Sequence, residues 1–198
     1  MAPDGAQTGL HRSPDARGRC GGVARHGPRA SVVGVAKSLG APSGSVYHRF
    51  PTRDALIAAA WLDALRNFQS GFLTALTQPD LDEAAIAAAT HVPRWCGRHL
   101  DRAILLHSFR LEDLVDDWPE PLRPQRDRVN EELHRALRQH AHDRYGRATG
   151  VALELTTFAL VNVPGAAVRR FLDQRRKPPR WSIDAVGAAT LAILRSHP

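Results

Sequence analysis

From Arg53 onward, apolar and polar residues alternate along the chain with a helical period. Trp61, Leu65, Phe68, Phe72 and Leu76 recur at intervals of 4, 3, 4 and 4 residues. They form one stripe of a long helix expected over roughly 53–76 and ended by Gln78-Pro79. A second helix is expected from about Leu81 to Thr90, interrupted by Pro93. A third is expected over about 98–114, with Leu100, Ile104, Leu105 and Leu111 inward. The prolines between Trp118 and Pro124 mark a loop. Val129, Leu133, Leu137 and Ala141 then describe a helix over about 125–145, stopped by Gly146. Residues 149–161 are largely apolar. Pro164 starts or kinks the segment that continues to about Gln174, and Arg175-Arg176-Lys177-Pro178-Pro179 reads as a turn. Ser182 is expected to cap a last helix with Ile183, Val186, Thr190, Ile193 and Leu194 inward. Strand-type alternation appears nowhere, so the fold class read from the pattern is all-α.

The region before Arg53 has a different texture. Residues 1–28 are rich in Gly, Arg and Pro and show no sustained apolar period. Ser31 can cap a short helix carrying Val32, Val35, Ala36 and Leu39, and Gly40 stops it. Pro42 suits the entrance of a second short helix, from about Ser43 to Phe50, closed by Pro51-Thr52. Two short helices joined by a tight glycine turn form a helix-turn-helix pattern, whose second helix enters the DNA major groove. Ser43, Gly44 and Ser45 keep the leading end of that helix small, so its backbone N–H groups can approach phosphates and base edges. Tyr47 and His48 project from its middle, Arg49 follows, and Arg53 begins the next helix where a cation can meet a phosphate. The same pattern also suits an ordinary helical corner in which Ser and Gly merely cap and turn.

Charge sharpens the choice. The chain has 198 residues and a formal charge of +7. Residues 1–53 hold eight Arg and Lys against Asp4 and Asp15, while the rest hold 19 basic and 18 acidic residues. A basic leading quarter on a near-neutral body fits an end that binds nucleic acid. Arginine supplies 25 of the 27 basic residues beside abundant Ala, Gly and Pro, a coding bias that weakens the arginine excess as a sign of phosphate binding. Cys20 and Cys96 are too few for a disulfide framework or a four-thiolate zinc site. No secretory h-region and no run of ~18 apolar residues is apparent, so a cytoplasmic protein without a membrane span is expected.

The run from Ser31 to Leu56 resembles the DNA-binding signature of TetR-family transcriptional regulators. The matching residues are Val35-Ala36, Gly40, Gly44-Ser45-Val46-Tyr47, Phe50-Pro51 and Arg53-Asp54-Ala55-Leu56. The resemblance implies a helix-turn-helix DNA-binding domain over 23–56, followed by a helical ligand-binding and dimerisation domain over 57–198. It implies DNA contacts from Ser31, Ser43, Gly44, Ser45, Tyr47, His48, Arg49 and Arg53, the last in the place of the family's usual Lys. Val35, Ala36, Leu39, Val46 and Phe50 would be the small core of the reader. The last two helical segments, about 149–174 and 182–196, would pair two copies into a homodimer on a pseudo-palindromic operator in double-stranded DNA. One departure stands out. The family's first amphipathic helix is matched only in its last turn, by Val23-Ala24-Arg25-His26-Gly27, and the preceding Ser13–Gly22 holds three glycines, each costing ~1 kcal/mol in a helix. Residues 1–22 therefore read as a shifted frame or a misassigned start. The alternative function is a dimeric small-molecule-binding protein whose DNA binding is impaired because its first helix is compromised.

Candidate ligand contacts are the aromatic residues Trp61, Phe68, Phe72, Trp95, Phe109 and Phe158, with His99, His107 and Asn162 as polar points. A cavity so lined would take a small apolar or aromatic effector, although each aromatic is also suited to plain core packing. Trp118 is placed equally by a surface or a lid. His140 and His142 fall on different faces of a helix, and no histidine spacing matches a metal site, so no metal is expected. No nucleophile motif and no phosphate-binding glycine loop occurs, which disfavours an enzyme, and no cofactor is expected. Cys96, between Trp95 and Gly97, reads as buried rather than reactive.

Overall fold

The computed structural model describes residues 53–109 and 120–196, and every regular element among them is helical. The two short helices expected over 31–50, the residues assigned to DNA contact before Arg53, the segment 1–22 and Trp118 lie outside the described residues. Helix α1 spans Arg53–Ala75, α2 Leu81–Arg98 and α3 Leu100–Ser108. A short helical turn over Glu120–Leu122 leads into α4 (Arg123–Arg128) and α5 (Glu131–Tyr145). A continuous rod follows: α6 (Val151–Thr157), a π turn (Phe158–Asn162) and α7 (Val163–Asp173). The last helix, α8, covers Trp181–Arg195.

Helix α1 begins at Arg53, as the sequence pattern indicates, and runs through residues 56 and 57. The expected boundary between reader and body therefore falls within a helix and not at a linker. Its stripe turns inward: Trp61 and Phe72 are buried, and Leu65, Phe68 and Leu76 are half-buried. Asp80 starts α2 by accepting the Glu83 backbone N–H at 2.8 Å. Helix α2 does not stop at Thr90. It carries Pro93 in its interior as far as Arg98. An internal proline costs ~3 kcal/mol, but α2 lies between α1 and α8 and buries Ala84, Ala85, Ala88, Ala89, Val92, Trp95 and Cys96, which holds the helix together across the proline. The helix expected over about 98–114 is Leu100–Ser108, and the one expected over 125–145 is split into α4 and α5. Gly146 ends α5 at φ 69°.

The rod Val151–Asp173 shows how a proline is absorbed. Pro164 has no N–H and its ring would strike the carbonyl four residues earlier. The ladder widens just before it, and the Val163 N–H bonds to the Phe158 carbonyl five residues back. Over an 18-residue window the rod has mean hydropathy 1.5, so by length and composition it is long and apolar enough to cross a membrane. In the structure Thr156, Ala159, Leu160, Val168 and Leu172 of this rod are buried, and it packs on α2, α3, α5 and α8 as one member of a bundle. Ser182 does not cap α8. It lies inside the helix, buried, and its hydroxyl donates to the Pro179 carbonyl at 2.6 Å.

Polar links fasten the two ends. At the α1–α2 turn, Asp82 receives Arg144 of α5 at 2.7 Å and also pairs with Arg195 of α8. These two guanidinium groups hold the Asp82 carboxyl below its ordinary value of 3.8. At the opposite end, Arg102 of α3 pairs with Asp63 of α1 at 3.0 Å, and His107 meets Asp173 at 2.6 Å.

Candidate functional site

The described residues contain one continuous string of rings. Phe68 lies 6.1 Å from Phe72, 5.3 Å from His91 and 5.3 Å from Trp95, and Trp95 lies 5.4 Å from His99. Helices α1 and α2 and the residue that ends α2 supply every member. The Trp95 indole donates to Asn67 Oδ1 at 2.9 Å. His91 Nε2 donates to the Phe68 carbonyl at 3.0 Å, so that nitrogen carries the proton. Burial holds the His91 imidazole below its ordinary 6.5, only partly countered by the carbonyl. His99, at the exposed end, is lowered by burial and by the nearby Arg102 and Arg98.

Of the candidate ligand contacts, Phe68, Phe72, Trp95 and His99 thus come together. Trp61 and Phe109 form a separate group around Leu56 and Leu105, joined by the Trp61 indole donating to the Phe109 carbonyl at 3.0 Å. His107 lies near the surface against Asp173. Phe158 and Asn162 sit on the outer face of the rod, lining an open groove of about 640 Å³ with Val151, Glu154, Leu155 and Thr157. Sequence reasoning overlooked His91 and Asn67. The spacing of His91, Trp95 and His99 at four residues each was the available signal for the first, because it puts three rings on one stripe. The groove had no such signal, because its lining mixes apolar and polar residues of one helical rod. Cys96 is buried, and burial pushes its thiol up to about 12, which makes it inert. Among the described residues no group of His, Cys, Asp and Glu could hold a metal ion.

Close packing of the ring string leaves no room at Gly71. A Cβ there would lie 2.3 Å from His91 Cε1. Gly71→Ala should therefore displace the imidazole from the Phe68 carbonyl and lower stability by about 1–2 kcal/mol, overriding the ~1 kcal/mol that alanine gains in a helix. In a His91→Ala background the same change should stabilise. Urea denaturation of the four proteins of this cycle measures it, and an equal effect in both backgrounds would detach Gly71 from His91.

Among solved structures, the chain is similar to a TetR family transcriptional regulator, PfmR, from Thermus thermophilus. The match covers 90% of this chain and 96% of that one, with 18% identity and a TM-score of 0.57. The chain has the fold of a TetR family regulator. No protein-family model and no curated protein matches it. In this TetR-like fold, α1 leads from the signature residues into the body, and α6–α7 and α8 stand at its outer side with Val151, Phe158 and Trp181 exposed.

Proposed function

We propose that this chain is a dimeric DNA-binding transcriptional repressor of the cytoplasm, released from a pseudo-palindromic operator by a small apolar or aromatic ligand. The observation that carries the reading is the start of α1 at Arg53, in a body of TetR-like fold. The Gly44-Ser45-Val46-Tyr47…Phe50-Pro51 signature thereby opens directly into the long helix that would link reader to body. Ser31, Ser43, Gly44, Ser45, Tyr47, His48, Arg49 and Arg53 are the proposed DNA contacts.

The outer faces of the last helices support pairing with a second copy. On the rod, Val151, Glu154, Phe158 and Asn162 form one exposed stripe, and on α8 the exposed Ala185, Ala188 and Ala192 form a small-residue face that would let another helix approach closely. In a symmetric dimer two reading helices would enter successive major grooves ~34–36 Å apart. A ligand that favours another spacing needs ~5.5 kcal/mol of differential affinity to move the dimer from 99% DNA-competent to 1%. The aromatic string of α1 and α2 favours an effector with an apolar or aromatic surface, since α1 is also the helix that reaches the reader.

A mobility-shift titration against the DNA upstream of the chain's own gene tests the proposal. Arg53→Ala should weaken binding to every sequence roughly tenfold and flatten the salt dependence by about one phosphate per subunit. Changes at Ser43 or His48 should instead alter sequence preference. Failure of the intact chain to prefer any fragment over random competitor would favour the alternative, a dimeric ligand-binding protein impaired in DNA reading by its glycine-rich residues 13–22.

A further inference from the structure

The near-neutral charge of the body hides a separation. Arg169, Arg170, Arg175, Arg176, Lys177 and Arg180 fall within twelve residues that hold one acid, Asp173. The rest of the chain after Arg53 therefore carries 13 cations against 17 anions. All six cations are exposed at the corner between α7 and α8, and the Asp173 carboxylate is engaged by His107.

The corner has a definite place and a definite shape. Asp173 joins it to His107 of α3, and Leu105 of α3 packs with Leu56, Ile57 and Trp61 in the first turns of α1. The cationic corner thus shares a pole with the start of α1. The opposite pole carries Asp80, Asp82 and Glu83 near the α1–α2 turn, together with Arg144 and Arg195, which pair with Asp82. The corner is held by its own backbone: the Arg176 N–H bonds to the Phe171 carbonyl at 2.8 Å and the Arg175 N–H to Leu172 at 2.9 Å, a left-handed helix end. Arg175 occupies the φ 53° position, where glycine would sit at lower energy, so a cation is kept where the backbone disfavours it. Trp181, 64% exposed and edge-on to Phe171 at 6.2 Å, flanks the cluster.

We propose that the α7–α8 corner is a second contact for duplex DNA, gripping backbone phosphates beyond the reach of the reading helix. This rests on the reading of residues 31–53 as the DNA-binding segment, which precedes the same pole. A duplex presents one negative charge per ~1.7 Å of its axis. Held by a segment attached at Arg53, it faces the cationic corner. The contact is blind to sequence, since guanidinium groups on a rigid turn meet phosphates and not base edges.

The test uses the full chain and a random-sequence duplex of about 30 base pairs, followed by fluorescence anisotropy from about 50 to 200 mM salt. R170Q/R176Q/K177Q/R180Q should weaken binding at least about tenfold and make the log–log salt slope shallower by about two to four per protomer, with melting temperature unchanged. If the fourfold variant melts early, R176Q/K177Q, confined to the turn, should still make the slope shallower by about one to two. Unchanged affinity and slope in a folded variant would overturn the proposal. So would a loss confined to vesicles containing about a third phosphatidylserine, which would mark the corner as a membrane contact. Arg53→Ala, measured alongside, separates the two ideas. If it weakens DNA binding and the corner variant does not, only the corner falls. If the intact chain ignores DNA, both fall.

Discussion

Phe72→Ala is expected to lower the free energy of unfolding by about 3–5 kcal/mol, a drop of roughly 6–20 °C in melting temperature. Phe72 is 1% exposed, one of the largest fully buried side chains described. Its cluster includes Ala85, Ala88 and Ala89 of α2 and Ala159 of the rod, all fully buried. Alanine has no side chain to swing into a vacated space, so the cavity left by the ring would stay open and the upper part of the range applies. Leu65→Ala, at a half-buried position of the same stripe, should cost clearly less. Thermal and urea unfolding of both variants checks the contrast. A loss below about 1 kcal/mol at Phe72 would mean that the helices close onto the site, contrary to the rigidity inferred from the alanine wall.

Stability should also fall steeply below about pH 6.5. His140 of α5 is 4% exposed, and its Nε2 finds no hydrogen-bond partner among the described residues. Burial first, and then Arg144, hold its imidazole below the ordinary 6.5; His91 is lowered chiefly by burial. The unfolded chain takes up these protons as pH drops through 6.5, whereas the folded chain does so only at lower pH. The contribution of each is therefore complete above 6.5 and is lost as pH falls from there toward the folded value, at up to ~1.4 kcal/mol per pH unit for each histidine. Asp82 acts in a lower window: its carboxyl is lowered, so its contribution is present above 3.8 and disappears only as pH falls through the folded value. His140→Leu should remove one proton's worth of slope between pH 6.5 and 5 and, by deleting a buried unpaired nitrogen, should cost nothing at pH 7. An unchanged slope in urea titrations at these two pH values would exclude His140 as the origin.

The helical class, the start of α1 at Arg53 and the inward stripe of Trp61, Phe68 and Phe72 were legible in the sequence, because a period of 3.6 residues reports burial directly. The signature before Arg53 rests on the sequence alone, where glycine, proline and small polar residues each answer a local backbone demand, and it lies outside the described residues. The candidate ligand set was less so. Aromatic identity says that a ring will be buried, not beside which other ring. Trp61 and Phe109 accordingly form one group, Phe68, Phe72, Trp95 and His99 another, and Phe158 and Asn162 stand outside both.

By itself the sequence determined what depends on neighbours within a turn or two: the helices, several of their ends and the uneven distribution of charge. Tertiary structure alone decided that α2 continues through Pro93, that Ser182 lies inside α8, that a π turn forms before Pro164, and that the 169–180 cations share a pole with the start of α1. Those outcomes depend on packing across tens of residues, where burial against α1 and α8 outweighs the local cost of a proline, and local pattern carries no record of that balance.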